Sequence, residues 1–286
     1  MSLPILAQVC VSVLLQLGDE DEQDDVENNA PLAGYAAEYW VRHAQFEDVV
    51  SCIKGMEYLF DLDKPHFAAW RRLYDVDIEP PDEAVFYQMS FGLQTPANTS
   101  LYYAALCGFG NLVEQLIIKY PQHVNAIGGY YLTPAVVALA GRYFQLAEVL
   151  HRNGSSVEPR GSYENTPLHG AASHEDLEMV QVLLEYRVDA NAQNSFFSTP
   201  LNFAARGYHD DPRVARLLIE RGADPNIRGW SGYTPLHCAL KKGWIEIARV
   251  LIEHGADVEL KDNNGKTPLD IIRKKYFNGR PACIMY

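Results

Sequence analysis

A Thr-Pro-Leu triplet returns along this chain with a nearly fixed period. It reads Thr166-Pro167-Leu168-His169 and Thr234-Pro235-Leu236-His237 at its cleanest, with the anchors Thr99, Thr133, Thr166, Thr199, Thr234 and Thr267 spaced 34, 33, 33, 35 and 33 residues apart. Self-similarity at a period of 20 to 50 residues means that each repeat is one supersecondary unit, unable to bury its apolar face until a neighbour stacks on it. Thr offers a hydroxyl that caps free amides, and Pro at the first helical position has no amide to lose, so each triplet opens a helix. Ala pairs follow at Ala104-Ala105, Ala171-Ala172 and Ala204-Ala205, where helices approach closely. A second apolar signal recurs at constant offset, in Leu116-Ile117, Leu150, Leu183-Leu184, Leu218-Ile219 and Leu251-Ile252. It is followed by turns such as Gly222-Ala223-Asp224 and Gly255-Ala256-Asp257.

Taken together, the Thr-Pro-Leu-His opening, the second Leu pair and the Gly-Ala-Asp turn resemble the ankyrin repeat. The resemblance implies an all-α solenoid over residues 99–286, curved, with five full repeats and a truncated sixth. It also assigns His169 and His237 to hydrogen bonds within and between repeats rather than to catalysis or a metal. The sixth repeat carries Asp270 in place of the motif His and a polar run, Arg273, Lys274 and Lys275, which marks it as a cap. The second is degenerate, with Ala135-Val136-Val137 after its Thr-Pro. The fourth gains two residues near Tyr208-His209-Asp210-Asp211-Pro212, between its helices, where added loop length costs little.

Ahead of the repeats lies a different composition. Residues 1–97 hold 18 of the 37 acidic residues and only 5 of the 24 Lys and Arg, so the whole net charge of −13 sits there and the repeats are neutral. That balance argues against nucleic acid or an anionic membrane as ligand, since phosphate binding requires a basic face. The segment LPILAQVCVSVLLQL places Leu6, Val9, Cys10, Val13, Leu14 and Leu17 on one helical face. It is too short to span a bilayer and lacks the basic start and small-residue cleavage site of a leader. An acidic run from Asp19 to Glu27 reads as a solvated loop. Helical patterns resume at PLAGYAAEYWVRHAQF, at about Val49–Phe60, and at HFAAWRRLYDV. The expected organisation is an acidic helical bundle over 1–81, a bridge over 82–98 whose Phe86, Tyr87, Met89, Phe91 and Leu93 cap the first repeat, and the array after it.

LAQVCVSVLL, PLAGYAAEYWVRHA and MEYLFDLDKPHFAAWRRLYDVD, in that order, are similar to the helical segment that precedes ankyrin arrays in fungal NACHT-type proteins, ATPases of the NOD-like receptor class. That resemblance implies the sensor end of such a receptor. The ATPase does not carry over: no G-x-x-x-x-G-K-[ST] occurs, and Gly265-Lys266-Thr267 belongs to a repeat turn. Nothing in the sequence calls for a cofactor or a metal. Five Cys at 10, 52, 107, 238 and 283, an odd number without C-x-x-C spacing, fit neither a zinc site nor a disulfide framework and suit a reducing cytoplasmic or nuclear setting. Cys283-Ile284-Met285-Tyr286 has the shape of a prenylation signal, but Tyr is outside the usual final residues, and the expectation is an unmodified tail.

One feature departs from repeat economy. Three residues before the motif Thr stand Tyr130, Tyr163 and Phe196, with Trp230 at nearly the same place in the fifth repeat and Tyr131, Phe197 and Tyr233 beside them. Such turns normally hold Asn, Asp or Gly, as Asp262-Asn263-Asn264-Gly265 does. Either the rings stack and stiffen the hairpins, or they line a groove with aromatic anchors for a protein or peptide. His174, Arg206, Lys241 and Lys242 on the adjoining helices would give that groove a partly basic rim suited to an acidic ligand. Catalytic motifs are lacking, and the adjacent triplets His174-Glu175-Asp176 and His209-Asp210-Asp211 point in different directions. The expected role is a non-catalytic interaction scaffold. The alternative is an enzyme or small-molecule binder with a pocket on the aromatic face.

Overall fold

The computed structural model describes residues 3–17, 36, 56–61, 100–128 and 132–277, with side chains described from 8 to 15 in the first stretch and to 273 in the last. Its elements are α1 (Leu3–Leu17), α2 (Met56–Leu59), α3 (Ser100–Leu106), α4 (Gly110–Lys119), α5 (Pro134–Ala140), α6 (Phe144–Arg152), α7 (Pro167–Ser173), α8 (Leu177–Glu185), α9 (Pro200–Ala204), α10 (Arg213–Glu220), α11 (Pro235–Lys242), α12 (Ile245–Glu253) and α13 (Pro268–Phe277). Among the described residues the only β pairing is the isolated bridge between Gly128 and Leu132. Each repeat is a first helix, a tight turn, a second helix and an extended loop leading to the next Thr. The all-α repeat architecture is as the 33-residue period requires.

The chain divides into two compact units, residues 1–85 with 93–156, and residues 86–92 with 157–286. The second holds repeats three to six. Pro167, Pro200, Pro235 and Pro268 each begin a first helix, and the Thr199 and Thr234 side chains accept the amides of Asn202 and His237. Leu168, Leu201, Leu236, Leu183, Leu218 and Leu251 are fully buried or nearly so and form the stripe between helices. Leu269, the same motif Leu in the sixth repeat, is 45% exposed because no further repeat covers it among the described residues, which fits a cap.

In the first unit, α3 packs on α5 and each first helix on its own second helix. Tyr102, Tyr103 and Phe109 are fully enclosed. The Tyr102 ring lies so close to Gly128 that a Cβ there would fall 2.5 Å from it, which explains a glycine at that point of the loop. α2 docks on the first repeat: Phe60 meets Phe109 edge-on at 6.2 Å, and Asp61 accepts the Tyr120 hydroxyl at 2.8 Å and pairs with Lys119 at 2.9 Å. Residues 56–61 thus pack on the first repeat; the bridge over 82–98 with its expected capping role, the acidic run 19–27, the domain boundary near 81 and the Cys283 tail lie outside the described residues. α1 buries Cys10, Val11 and Leu14 and leaves Val9 44% exposed, so its inner face is turned from the one expected, with Val11 inside in place of Val9. Cys10, Cys107 and Cys238 are buried and in no disulfide, and burial pushes the Cys238 thiol up to about 11.

Candidate partner-binding surface

The hairpins of the second unit are held by a repeated device at the fourth motif position. His169 Nδ1 accepts the Thr166 amide at 3.1 Å and lies 2.8 Å from the Thr166 hydroxyl, while Nε2 stands 2.9 Å from the Ser198 carbonyl of the next repeat. An accepting Nδ1 and a carbonyl partner at Nε2 leave one consistent tautomer, neutral with the proton on Nε2. Burial favours that neutral form and brings the His169 pKa down to about 4; His237, bound in the same way to Thr234 and to the Lys266 carbonyl, is lowered for the same reason. Asn202 does the same work without a ring, its Oδ1 taking the Thr199 amide at 2.9 Å and its Nδ2 donating to the Tyr233 carbonyl at 3.3 Å. Asp270 accepts the Thr267 amide at 3.0 Å but has no proton to pass on. The Gly265-Lys266-Thr267 stretch is part of this hairpin: the Lys266 amide donates to Asp262 Oδ1.

Hairpin tips are cross-linked too. Asn194 Nδ2 donates to Asn165 Oδ1 at 2.8 Å, and its own Oδ1 takes the amides of Phe196 and Ser198. The Ser195 amide donates to the Tyr163 carbonyl and the Asn263 amide to the Ser231 carbonyl, each across a repeat boundary. Tip residues Tyr163, Glu164, Phe197 and Ser231 adopt positive φ of 56° to 60°, a conformation that costs a side-chain-bearing residue something and is stabilised here by those bonds. On this frame stand the exposed rings: Tyr163 at 60%, Phe196 at 43%, Phe197 at 68% and Trp230 at 58%. Tyr163 and Phe196 face each other with centroids 5.3 Å apart. Phe197 and Trp230 have no aromatic neighbour among the described residues. Tyr163 and Phe196 thus stack, whereas Phe197 and Trp230 stand open to solvent.

The remaining predicted site residues fall elsewhere. Tyr130 and Tyr131 lie outside the described residues. Tyr233 is not a tip residue: half-buried, it stacks flat on His237 at 5.6 Å, and the Lys241 ammonium sits 4.8 Å over its ring. Phe203, not foreseen, occupies a similar place one repeat earlier, edge-on to His169 at 5.2 Å with the Arg206 guanidinium 5.1 Å above it. Lys241 and Lys242 are exposed. His174 is half-buried and its Nδ1 lies 2.8 Å from the Gly170 carbonyl, so it serves the end of α7 rather than a rim.

Sequence reasoning also missed a clamp. The two-residue insertion of the fourth repeat is no idle loop. Glu175 takes the His209 amide at 2.7 Å and lies 2.9 Å from its Nδ1, and Asp210 accepts the amides of Ile245 and Glu246 through Oδ2 and of Ile247 through Oδ1, at 2.7 to 3.0 Å. Asp210 thereby caps a helix in the following repeat whose own flanking residue, Trp244, supplies no side-chain cap. That missing cap was the signal available in the sequence. Asp176 caps α8 through the Met179 amide, so the acidic triplets all have structural duties. No group of three His, Cys, Asp or Glu suited to a metal occurs among the described residues, and no described helix is long and apolar enough to cross a membrane. A pocket of about 460 Å³ opens in the first unit beside Asn111, Glu114, Arg142 and Tyr143, and none of the exposed hairpin rings lines it.

Comparison with known proteins agrees with the architecture. The family model for ankyrin repeats matches three times, over residues 101–194, 135–229 and 201–275. Ankyrin repeat and SOCS box protein 5 of Bos taurus is 33% identical over 114 residues, which cover 37% of this chain and 33% of that protein; the Homo sapiens protein is 32% identical over the same span. Alpha-latrocrustotoxin-Lt1a of Latrodectus tredecimguttatus is 33% identical over 135 residues, 46% of this chain and 9% of the toxin. The match spans about a third of the length of the first relatives and under a tenth of the toxin. With the repeat model matched across residues 101–275, well over half its length, the chain belongs to the ankyrin-repeat family.

Proposed function

We propose that this protein is a non-catalytic recognition module that binds a protein segment through the exposed rings on the hairpin tips of repeats three to five. Ankyrin repeats support a protein–protein interaction role; the observation that carries the finer reading is the display of Phe197 and Trp230, each more than half exposed, on a backbone cross-linked from repeat to repeat. A large apolar ring in water is unfavourable, and rigid aromatic display is what anchors at interfaces consist of. The basic groups Arg206, Lys241 and Lys242 favour an acidic partner. The likeness of residues 3–80 to the segment before fungal NACHT-associated arrays supports a sensor role in a receptor of that class, in the cytoplasm or nucleus.

Capture of partners from the native organism tests the reading, with wild type, a Phe197→Ala/Trp230→Ala double variant, and Ile118→Ala as a control. Ile118 is 82% exposed on α4, in the first unit. The expected result is a partner held by wild type and by the control and lost by the double variant. A partner retained by the double variant would move the site off the hairpin tips.

A further inference from the structure

Within the second unit, the hairpin tips are not all joined in the same way. Between repeats three and four the Ser195 amide donates to the Tyr163 carbonyl at 2.8 Å, and between five and six the Asn263 amide donates to the Ser231 carbonyl at 3.0 Å. Between repeats four and five the corresponding pair is the Trp230 amide and the Phe196 carbonyl, and that bond is not made. The Trp230 amide donates instead to Ser198 Oγ at 3.2 Å, and the Phe196 carbonyl has no hydrogen-bond partner among the described residues. Ser198 closes the base of its hairpin through the bond from the Asn194 amide. Contact at that base is close, since a Cβ at Gly229 would fall 2.7 Å from Ser198 Oγ and 3.0 Å from Ser198 Cα. The two hairpins therefore meet at the base and leave a notch at the tip. Phe197 and Trp230, the exposed rings without an aromatic neighbour, border it: Phe197 shares a peptide unit with the open carbonyl, and Trp230 carries the amide that turned away.

From this notch we infer that the bound segment presents a tryptophan, its indole lodged between Phe197 and Trp230 and its N–H donating to the Phe196 carbonyl. The inference rests on the hairpin-tip reading above and adds the side chain that the tips select. Packed helices stand about 10 Å apart, beyond the roughly 4.5–7 Å at which two rings pair, so neighbouring tips leave room for one planar group in touch with both. Hydrogen bonding narrows the choice further. The Phe196 amide is taken by Asn194 Oδ1, the Phe197 amide by the Asn194 carbonyl and the Trp230 amide by Ser198, so the notch offers an acceptor and no main-chain donor. A hydroxyl or a carboxamide seated there leaves an acceptor of its own unpaired, whereas an indole has one N–H and no acceptor. Lys and Arg also only donate, but Arg228, bonded to the Gly232 carbonyl and Asn263 Oδ1 and two residues before Trp230, opposes a second cation. Glu164 does not offset it, since it stands at the tip of repeat three.

Titration of the 15N-labelled full chain, read by NMR at the Phe197 and Trp230 amides, decides it. The probe is N-acetyl-tryptophan amide, compared with its 1-methylindole form, which keeps the ring and loses the N–H, and with the Phe and Arg analogues. Saturable shifts are expected with the Trp probe, with binding at least threefold weaker for each comparison compound on the basis of the methyl, ring and charge differences. Phe197→Ala and Trp230→Ala are each expected to weaken the Trp probe at least threefold. Ser198→Ala releases the Trp230 amide to the Phe196 carbonyl, the bond made at the other two boundaries, and is expected to abolish the preference for indole over 1-methylindole. Thermal melts verify that the variants fold. Equal binding of all four compounds with dependence on Phe197 and Trp230 overturns the indole class and leaves the hairpin site standing. So does absence of any shift at 20 mM probe while the native partner is still captured by wild type and lost by the double variant. Tighter binding of the Arg analogue, Trp binding indifferent to Phe197→Ala and Trp230→Ala, or an indole preference that survives Ser198→Ala, likewise overturns the inference.

Discussion

The two units solve one problem with different chemistry. At the fourth motif position the first unit has Tyr102 and Val136, both buried, whereas the second has His169, Asn202, His237 and Asp270. In the first unit the position fills space: Tyr102 presses on Gly128 and meets Tyr103 edge-on at 5.4 Å. In the second, it is a two-ended hydrogen-bonding plug, accepting within its own repeat and, until the last, donating to the next. A filled volume is judged by size; a plug is judged by whether it both accepts and donates. The units should therefore fail under different insults, and the variants below sharpen or break that distinction.

The largest effect is expected from Tyr102→Ala, which empties a fully enclosed ring site and should destabilise the first unit by about 3–5 kcal/mol. Gly128→Ala should hurt the same unit by overpacking, at about 1–3 kcal/mol, because its new Cβ meets the Tyr102 ring. Hydrogen exchange resolved by peptide reads both. Protection lost over residues 100–156 fits the space-filling account, and an unchanged pattern for both variants would remove it.

Next comes the plug. His169→Ala strands the Thr166 amide and the Ser198 carbonyl, at about 3 kcal/mol in all. His169→Asn should recover most of this, because Asn202 makes both bonds in the neighbouring repeat. Acid probes the same group. The folded pKa of about 4 lies below the ordinary 6.5, so between those values the unfolded chain binds the extra proton. Stability from this residue is complete above pH 6.5 and drains away as pH falls toward 4, by about 3 kcal/mol at most. His237 adds to it in the same direction. In the His169→Asn variant, exchange over residues 167–205 should become less sensitive to acid than in wild type; an identical acid response would show that His169 is not its source.

What the sequence disclosed follows from this division. Periodicity reveals backbone units and buried stripes, because both depend on spacing along one chain, so Thr-Pro-Leu and the second Leu pairs marked the helices and core. His169 and His237 were legible as bridges through their motif. Asn202 was passed over, since its equivalence to His lies in bond geometry rather than in residue similarity. Tyr233 was misplaced among the tips because one residue along a turn decides between water and the face of His237. The Asp210 clamp left one local sign, the uncapped start of α12 at Trp244, but its partners Ile245, Glu246 and Ile247 stand 35 to 37 residues away.

Asp210→Ala is the third test, a smaller effect of about 1–2 kcal/mol, the range of a lost helix cap. It should show first as faster exchange at the start of α12. Glu175→Ala, which releases His209 from the preceding repeat, should weaken the same helix less, because Asp210 keeps its bonds. If Glu175→Ala costs as much as Asp210→Ala, the insertion acts as one brace rather than as a cap with a tether.

The smallest change in stability is expected at the tips, and there the contrast lies within the second unit. Trp230→Ala and Phe197→Ala remove rings that touch no aromatic neighbour and are mostly in water, so each should alter stability by no more than about 0.5 kcal/mol. Phe196→Ala and Tyr163→Ala should cost somewhat more, up to about 1 kcal/mol, because each removes a ring pair at 5.3 Å. Partner binding should reverse the order of importance, with losses of about 2 kcal/mol or more at the freely displayed rings, the range of interface anchors. Thermal melts paired with titration of the captured partner separate the two quantities. The bonds that hold the tips, between the Asn194 and Asn165 side chains and from the Ser195 amide to the Tyr163 carbonyl, do not involve the rings, so truncation leaves the hairpins in place and any lost affinity belongs to the rings themselves. Were Trp230→Ala to lower stability as Tyr102→Ala does, its ring would be a packing element, and the display on which the binding surface rests would be gone.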